Sequence, residues 1–549
     1  MKRFRAAFVI VVAFLAAAAR ADWKPAAIVD DLVSKTGSAG EPGCSVAVVQ
    51  DGAIVYERSV GLANVELRVP INNHTVFLAG SIAKQFTALA VFLLAREGRL
   101  DIDADVRRYL PELPVYARPV TIRQLLGHTS GLKDDMELLK AAGLHTWEDH
   151  ITEADVFSII ARQRTANFAP GSEFLYSDTG YDLLAIIVRR VSGKSLRAFA
   201  AERIFKPLGM TETLFRDDAS EPVPGRASGY VREHDALHIA IPDSSQVGAA
   251  NLFTTGHDLA IWAASFEHPA ILGAAMDDLQ REGHLADGTP TGYAGGLELR
   301  TYRGHRVIQH DGAQAGYVGD LMMFPDDHLA IAQLCNVRRN AHQLPRQIAG
   351  AVLGLDTQPA TAAAGSAQVT VSPAELARVA GTYWNDRDGS YNVVTVAAGK
   401  VMVTDSDHDT YELVPVNPNV FGVKGEPPDI FLAFSPAGDA LPRRLERHIG
   451  SAVTSFVRMQ SGSHDHAVSR DIAGLYVSDE VGASWTFLVQ NGHLVLRRPR
   501  FDDEPLTQLF ADGYESGQWF LHFVRDRHYR VIAVDALNVR LRKLRFVRR

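Results

Sequence analysis

The C-terminal third of the chain repeats itself, and that repeat limits its fold more than any other feature. Ala380-Gly381-Thr382-Tyr383 recurs as Ala473-Gly474-Leu475-Tyr476, and Ala398-Gly399-Lys400-Val401-Met402-Val403 recurs as Asn491-Gly492-His493-Leu494-Val495-Leu496, both at an offset of 93 residues. A constant offset across separated features marks two copies of one unit. Each copy consists of short alternating strands broken by Gly, Asn and Asp turns, such as Trp485-Thr486-Phe487-Leu488-Val489, with short helical leads at Pro373–Val379 and Val468–Ile472. So many short strands leave exposed edges unless the sheet closes. The pattern therefore predicts two small antiparallel barrels, over residues 371–462 and 463–549. Their aromatic and β-branched positions most simply build cores. A carbohydrate- or peptide-binding face is the alternative, and no residues locate one.

Ahead of the repeat, residues 356–370 carry Thr357-Gln358-Pro359 and a run of Ala, Thr, Gly and Ser that reads as a linker. Residues 22–355 form a different kind of unit. Ser45–Val49 and Ala53–Glu57 flank Gln50-Asp51-Gly52, a hairpin signal. Helices are predicted from the apolar run Gln85–Ala95, from Thr121 with its hydroxyl as N-cap, and over Val156–Arg164 and Tyr181–Val191. Leu100–Asp105 and Pro111–Pro114 read as loop. Strand-like segments return at Val307–Gln309, Val318–Phe324 and Leu329–Asn336. A hairpin, many helices and then returning strands imply an antiparallel sheet with helices on both sides and a helical insertion, an α+β domain.

Residues 1–21 read as a cleavable signal peptide: Lys2, Arg3 and Arg5 precede the apolar run Ala6–Ala19, and Ala19-Arg20-Ala21 supplies a small-x-small cleavage pattern. The expected location is periplasmic or secreted, with no stable membrane anchor after cleavage. The formal charge of −8 becomes more negative when the four basic residues of this segment leave, and no basic run points to nucleic acid. The twenty histidines show no HExxH-like cluster, so nothing calls for a metal. Two cysteines, Cys44 and Cys335, lie in apolar strand-like segments and are no disulfide framework. They pair if the fold makes them neighbours and are buried thiols otherwise.

The chemistry-bearing residues are spread along the first unit. Gly80-Ser81-Ile82-Ala83-Lys84 places a hydroxyl and an amine three residues apart, on one face of a helix, so that Lys84 reaches back over Ser81. Tyr176 sits in a loop leading to a helix that starts near Gly180, and a tyrosine beside a lysine can relay protons with a depressed pKa. His310-Asp311-Gly312 closes a strand-like segment, with Gly312 allowing close approach of substrate to the strand backbone. No Gly-x-Ser-x-Gly elbow is present, which argues against an α/β-hydrolase.

Together these residues resemble the serine beta-lactamase and penicillin-binding-protein-like superfamily, in its branch of class C lactamases, D,D-carboxypeptidases, D-aminopeptidases and esterases. Ser81-Ile82-Ala83-Lys84 is similar to the first motif, Tyr176-Ser177-Asp178 to the Tyr-x-Asn motif, and His310-Asp311-Gly312 to the Lys/His-x-Gly motif. Thr121–Leu126, His128-Thr129-Ser130-Gly131-Leu132 and Pro207-Leu208-Gly209-Met210 extend the likeness over residues 30–350. The resemblance implies that Ser81 attacks a carbonyl, that Lys84 and Tyr176 share the base and proton-shuttle roles, and that the N–H groups of Ser81 and Ala313 form the oxyanion hole. His310 would line the site, orient Tyr176 or bind the substrate's polar end, with Asp311 and Gly312 beside it and no metal or organic cofactor. The implied substrate is a small peptide, amide or ester, including peptides with an N-terminal D-amino acid.

Asp178 departs from the Asn of that motif. A carboxylate only accepts hydrogen bonds, so beside Lys84 it favours the protonated amine, and it is placed to attract a substrate ammonium. The tail resembles the lipocalin-like barrels of some D-aminopeptidase and esterase relatives, where a barrel approaches the active site and restricts entry. The competing expectation is a catalytically weak or inactive protein that keeps the fold for binding or scaffolding. The residues do not indicate an oligomeric state.

Overall fold

In a computed structural model of the chain, the described residues are 23–549 except 39, 147–148, 235, 338–342, 356–370, 398, 407–408, 425–429, 436–440, 450–451 and 460–470. The expected signal peptide and linker lie outside the described residues. A six-stranded antiparallel sheet organises the first unit, built from β1 (Cys44–Gln50), β2 (Ala53–Val60), β3 (Glu298–Tyr302), β4 (His305–Gln314), β5 (Tyr317–Phe324) and β6 (Leu329–Cys335). Its order is β3-β4-β5-β6-β1-β2, so the N-terminal hairpin adds to the edge of the returning strands. Side chains alternate faces along each strand. Val46, Val48 and Ile331 point to one side, where α1 (Ala26–Ser34) packs through Val29 and Val33. Ala47, Val49, Ala330 and Ala332 point to the other, toward α2 (Ala83–Arg96) and the rest of the helical layer.

Two helices place the site. Ser81 lies in a single 3-10 turn, Gly80–Ile82, that runs directly into α2. Nearly every residue of α2 is buried, Lys84 included, as expected for a helix that is apolar all round. Thr121 caps α3 (Ile122–Leu126) in a reciprocal box with Gln124, as its position suggested. Farther on come α4 (Asp135–Ala141), capped by Asp134, and α5 (Thr179–Ser192), which begins directly after Asp178. The strand expected to end near Gln309 continues to Gln314, so His310, Asp311 and Gly312 lie within β4 and not at its close.

Cys44 and Cys335 face each other in the β1–β6 register and are joined by a disulfide. A bridge closing so long a loop, 291 residues, restricts the unfolded chain. Unreduced, unfolded protein is therefore expected to show no maleimide-reactive thiol, and reduction to cost about 2–4 kcal/mol of stability. Thiol counting before and after reduction, with chemical denaturation of both forms, checks this.

The repeat folds into two antiparallel β-structures. The first is a closed eight-stranded barrel running from Gly381–Trp384 to Ala452–Arg458. The second is a nine-stranded, nearly closed sheet whose first and last strands by sequence, Gly474–Ser478 and Leu541–Arg548, pair inside it. The repeated tyrosines do the same work in both. Tyr383 Oη donates to Val379 O at 2.9 Å, and Tyr476 Oη donates to Ile472 O at 2.7 Å. An arginine lies over each ring, Arg458 and Arg548 respectively, and donates to the carbonyls that precede the tyrosine.

The two β-structures pack on each other through Trp384, Tyr391, Phe510, Phe520 and Leu537. The nine-stranded sheet also shares its core with the helical layer of the first unit. Trp485, fully buried, stacks on Phe546 at 4.1 Å and donates its indole N–H to Ala141 O of α4 at 3.0 Å. Lys133 pairs with Glu480, and Arg500 with Asp149.

Candidate active site

The 3-10 turn leaves its first N–H groups without intrahelical acceptors and presents Ser81 at the rim of the helical layer. Two glycines allow β4 to come up against this turn. Gly80 has φ of +55°, and a Cβ there would lie 2.6 Å from Ala313 N. A Cβ on Gly312 would overlap the Ala79 carbonyl oxygen and lie 2.8 Å from Ser81 N. The close approach expected at Gly312 is therefore to the protein's own backbone, and it brings the Ser81 and Ala313 amides into the same small region.

Lys84 has no exposed surface. Its Nζ donates to Ser81 Oγ at 3.1 Å, to Asp178 Oδ1 at 2.6 Å and to Ala249 O at 3.0 Å. Three acceptors around one amine is the arrangement of an ammonium. Burial works against that charge, but Asp178 and Tyr176 outweigh it and hold the Lys84 pKa above its ordinary value. The converse holds at Asp178: burial raises its pKa, while Lys84 and Arg540 more than reverse this, keeping it ionised.

Tyr176 lies between two cations. Lys84 Nζ is 4.9 Å from the ring centroid and the Arg540 guanidinium carbon is 5.0 Å from it. The expected depression of its pKa does not result. Loss of hydration raises it and Asp178 adds to the rise, against the lowering effect of Lys84 and Arg540. Tyr176 therefore rests as the neutral phenol.

His310 is buried, and burial followed by the charge on Lys84 lowers its pKa, so the ring is neutral. Its Nδ1–H donates to Asp311 O at 2.6 Å, which leaves Nε2 to accept from Tyr293 Oη at 3.0 Å. Both ring nitrogens are thus engaged, and His310 meets Tyr176 by ring contact, at 6.0 Å between centroids. Asp311 points away to the exposed face of β4, and Ala313 is exposed beside it. The structure accordingly brings Ser81, Lys84, Tyr176, Asp178, His310, Gly312 and Ala313 together.

Three further residues complete the site. His128, at φ +55°, packs against Tyr176 in a tilted contact with ring centroids 4.4 Å apart and accepts from Ser177 N–H through Nδ1. Its burial drives its pKa far down, so it serves as a neutral wall. Tyr293, from the loop before β3, closes the same wall against His128 and His310. Arg540, at the tip of the hairpin Val531–Asn538/Leu541–Arg548, donates to Asp178 Oδ2 at 2.9 Å. His128 was visible only as part of a similar word. Tyr293 and Arg540 carried no local signal.

Comparison with known proteins gives the family of the domain that holds this site. The beta-lactamase family profile matches residues 25–355, more than half of the chain. Penicillin-binding protein 4* of Bacillus subtilis is 27% identical over 450 residues, covering 77% of this chain and 94% of that protein. A D-aminopeptidase of Cereibacter sphaeroides is 28% identical over 323 residues, covering 57% of this chain and 60% of the relative. Among solved structures, the octameric penicillin-binding protein homologue from Pyrococcus abyssi superposes with a TM-score of 0.52 at 21% identity, over 87% of this chain and 98% of the other, a likeness of fold. With its serine turn, buried lysine and flanking strand in the places described, the chain belongs to the beta-lactamase family.

Proposed function

We propose that the protein is an exported serine hydrolase that forms an acyl-enzyme at Ser81 and cleaves a small peptide, amide or ester. The observation that carries this reading is the contact between a fully buried Lys84 and Ser81 Oγ at 3.1 Å, with Tyr176 stacked beside the amine. The ion pair with Asp178 offsets the burial of the Lys84 amine, and the hydroxyl beside it belongs to the one partly exposed residue of the turn.

In the proposed reaction the Tyr176–Lys84 pair, which rests with both groups protonated, first gives one proton to solvent; Ser81 Oγ then attacks the substrate carbonyl and its proton passes to the vacated position on the pair. The negative charge that develops on the carbonyl oxygen meets the N–H groups of Ser81 and Ala313. Tyr176 returns a proton to the leaving amine or alcohol, and water then attacks the acyl-enzyme by the same route in reverse. The engagement of both ring nitrogens of His310 supports a role in holding Tyr293 and the aromatic wall. The names of the D-aminopeptidase relative and of the structurally similar D-amino acid amidase from Ochrobactrum anthropi SV3 support amide substrates with a D-configured acyl part.

The Lys84–Asp178 ion pair favours a second reading, a weak or inactive binding protein, because it retains the proton the reaction must move. One experiment separates the two. Full-length protein is incubated with a fluorophosphonate, a penicillin and a panel of D- and L-aminoacyl amides and short esters, and the adduct is located by peptide mapping. A single adduct on the peptide containing Ser81, with turnover of at least one substrate, is the expected result. Folded protein with neither adduct nor turnover would count against the acyl-enzyme reading and shift weight to the binding one.

A further inference from the structure

The contact least expected from the sequence is Arg540. It comes from the C-terminal sheet, 362 residues from Asp178, yet it takes the outer oxygen of the carboxylate whose inner oxygen holds Lys84. The hairpin tip that carries it is firmly seated. Asn538 Oδ1 accepts from the N–H groups of Arg540 and Leu541, at 3.0 and 2.8 Å, while Asn538 Nδ2 donates to Glu137 Oε2 at 2.6 Å. Asn167 brackets the tip by donating to Arg540 O and accepting from Arg542 N–H, and Arg542 pairs with Glu173 at 2.5 Å.

The charges around the reacting pair can be followed element by element. From α2 comes Lys84. From the segment entering α5 come Tyr176 and Asp178, and from α5 itself comes Asp182, whose burial pushes its pKa up to about 7. From the head of α4 come Asp134, which accepts from Asp178 N–H at 2.8 Å, is pushed by burial up to about 6 and lies 3.9 Å from the Arg540 guanidinium, then Asp135, whose burial holds its carboxyl well above the usual range, and Glu137. His128 and His310 face the pair as neutral rings. Arg540 is the cation that the C-terminal sheet adds. A carboxylate where the related motif has an amide would bind the Lys84 proton strongly and oppose any negative charge on Tyr176. A guanidinium on the far oxygen, over the same tyrosine ring, opposes both effects.

We infer that Arg540 is a positioning residue of the hydrolase reaction: by pairing with Asp178 from the C-terminal sheet it offsets that carboxylate at the Tyr176–Lys84 pair, so the pair gives and takes protons as it would beside a neutral amide. This rests on the acyl-enzyme reading proposed above. It also makes the C-terminal sheet part of the active site, and it gives each oxygen of Asp178 a cationic partner within the protein.

The test follows labelling of Ser81 in the full-length chain by a neutral fluorophosphonate. In that step the Tyr176–Lys84 pair has first lost one proton to solvent, Oγ bonds phosphorus, fluoride leaves, and the serine proton passes to the vacated position on the pair. Second-order rates are measured over roughly pH 6 to 10 for wild type, R540A, R540Q, R540K, D178N and D178N/R540A, with thermal unfolding of each variant. R540A and R540Q are expected to slow labelling near neutral pH by about tenfold and to move the ascending limb up by about one pH unit, since losing the cation raises both pKa values. R540K is expected to stay within about threefold of wild type, and removing Arg540 from D178N to change the rate by less than about threefold, because without its carboxylate partner the guanidinium is no longer held against the pair.

An equal loss in both backgrounds with an unmoved pH limb would overturn the inference and leave Arg540 as a residue that merely docks the hairpin. If R540A unfolds, R540Q and R540K carry the same comparison. Wild type that labels at Ser81 while the Arg540 variants behave like it refutes this inference alone. Wild type that does not label at any pH refutes the acyl-enzyme reading, and the inference with it.

Discussion

Lys84→Met is expected to abolish Ser81 chemistry, slowing fluorophosphonate labelling by about 10³-fold or more, while the protein stays folded. Met replaces the side chain at nearly the same volume in a site with no exposure, so packing around α2 is kept. The lost group is the amine 3.1 Å from Ser81 Oγ. Removing one member of a buried ion pair ordinarily costs about 3–5 kcal/mol because the partner is left uncompensated. Here Asp178 keeps Arg540 at 2.9 Å, so the loss should fall below that range. Lys84→Arg should be as inactive as Lys84→Met, since a guanidinium does not give up its proton. Labelling rates with circular dichroism on the same samples check both halves. Retention of labelling within tenfold in Lys84→Met would place the base elsewhere.

Gly312→Ala carries the second large effect. One methyl group there overlaps the Ala79 carbonyl oxygen and stands 2.8 Å from Ser81 N, against backbone on both counts, so no side chain can turn aside to make room. Either β4 moves out, carrying Ala313 N with it, or the 3-10 turn moves and takes Ser81 along. A displacement of that size at reacting groups costs about 10²-fold in rate, and overpacking adds about 1–3 kcal/mol of destabilisation. Labelling of Ser81 should drop by about two orders of magnitude with secondary structure retained. Ala313→Ser leaves the amide in place on an exposed position and serves as the comparison. Unchanged labelling in Gly312→Ala would show that the Ser81 and Ala313 amides do not act as one site.

Much of the architecture was legible because its causes are local. Gln50-Asp51-Gly52 turns the β1–β2 hairpin where the turn residues stand, and Thr121 with Gln124 caps α3 within one turn of helix. The 93-residue repeat anticipated two β-structures, and the same tyrosine-to-carbonyl bond recurs in both. The arginines over those tyrosines are not marked by the repeat, because Arg458 and Arg548 stand at a different offset from the rest of it. At the site, Ser81 and Lys84 were readable as a pair because three residues of helix bring them onto one face.

The sequence alone determined the elements whose partners lie within a few residues: the turns, the caps, the serine–lysine pair and the repeated strands. It also determined, through the three similar motifs, the kind of domain that would hold them. Only the tertiary structure decided which distant groups meet. It joined Cys44 to Cys335 across the β1–β6 ladder, closed the wall of His128 and Tyr293 around Tyr176, kept that tyrosine protonated, and set Arg540 on Asp178. These juxtapositions depend on how whole sheets pack, and a charge placed at a pair by a hairpin 362 residues away leaves no trace in the spacing of the residues it acts upon.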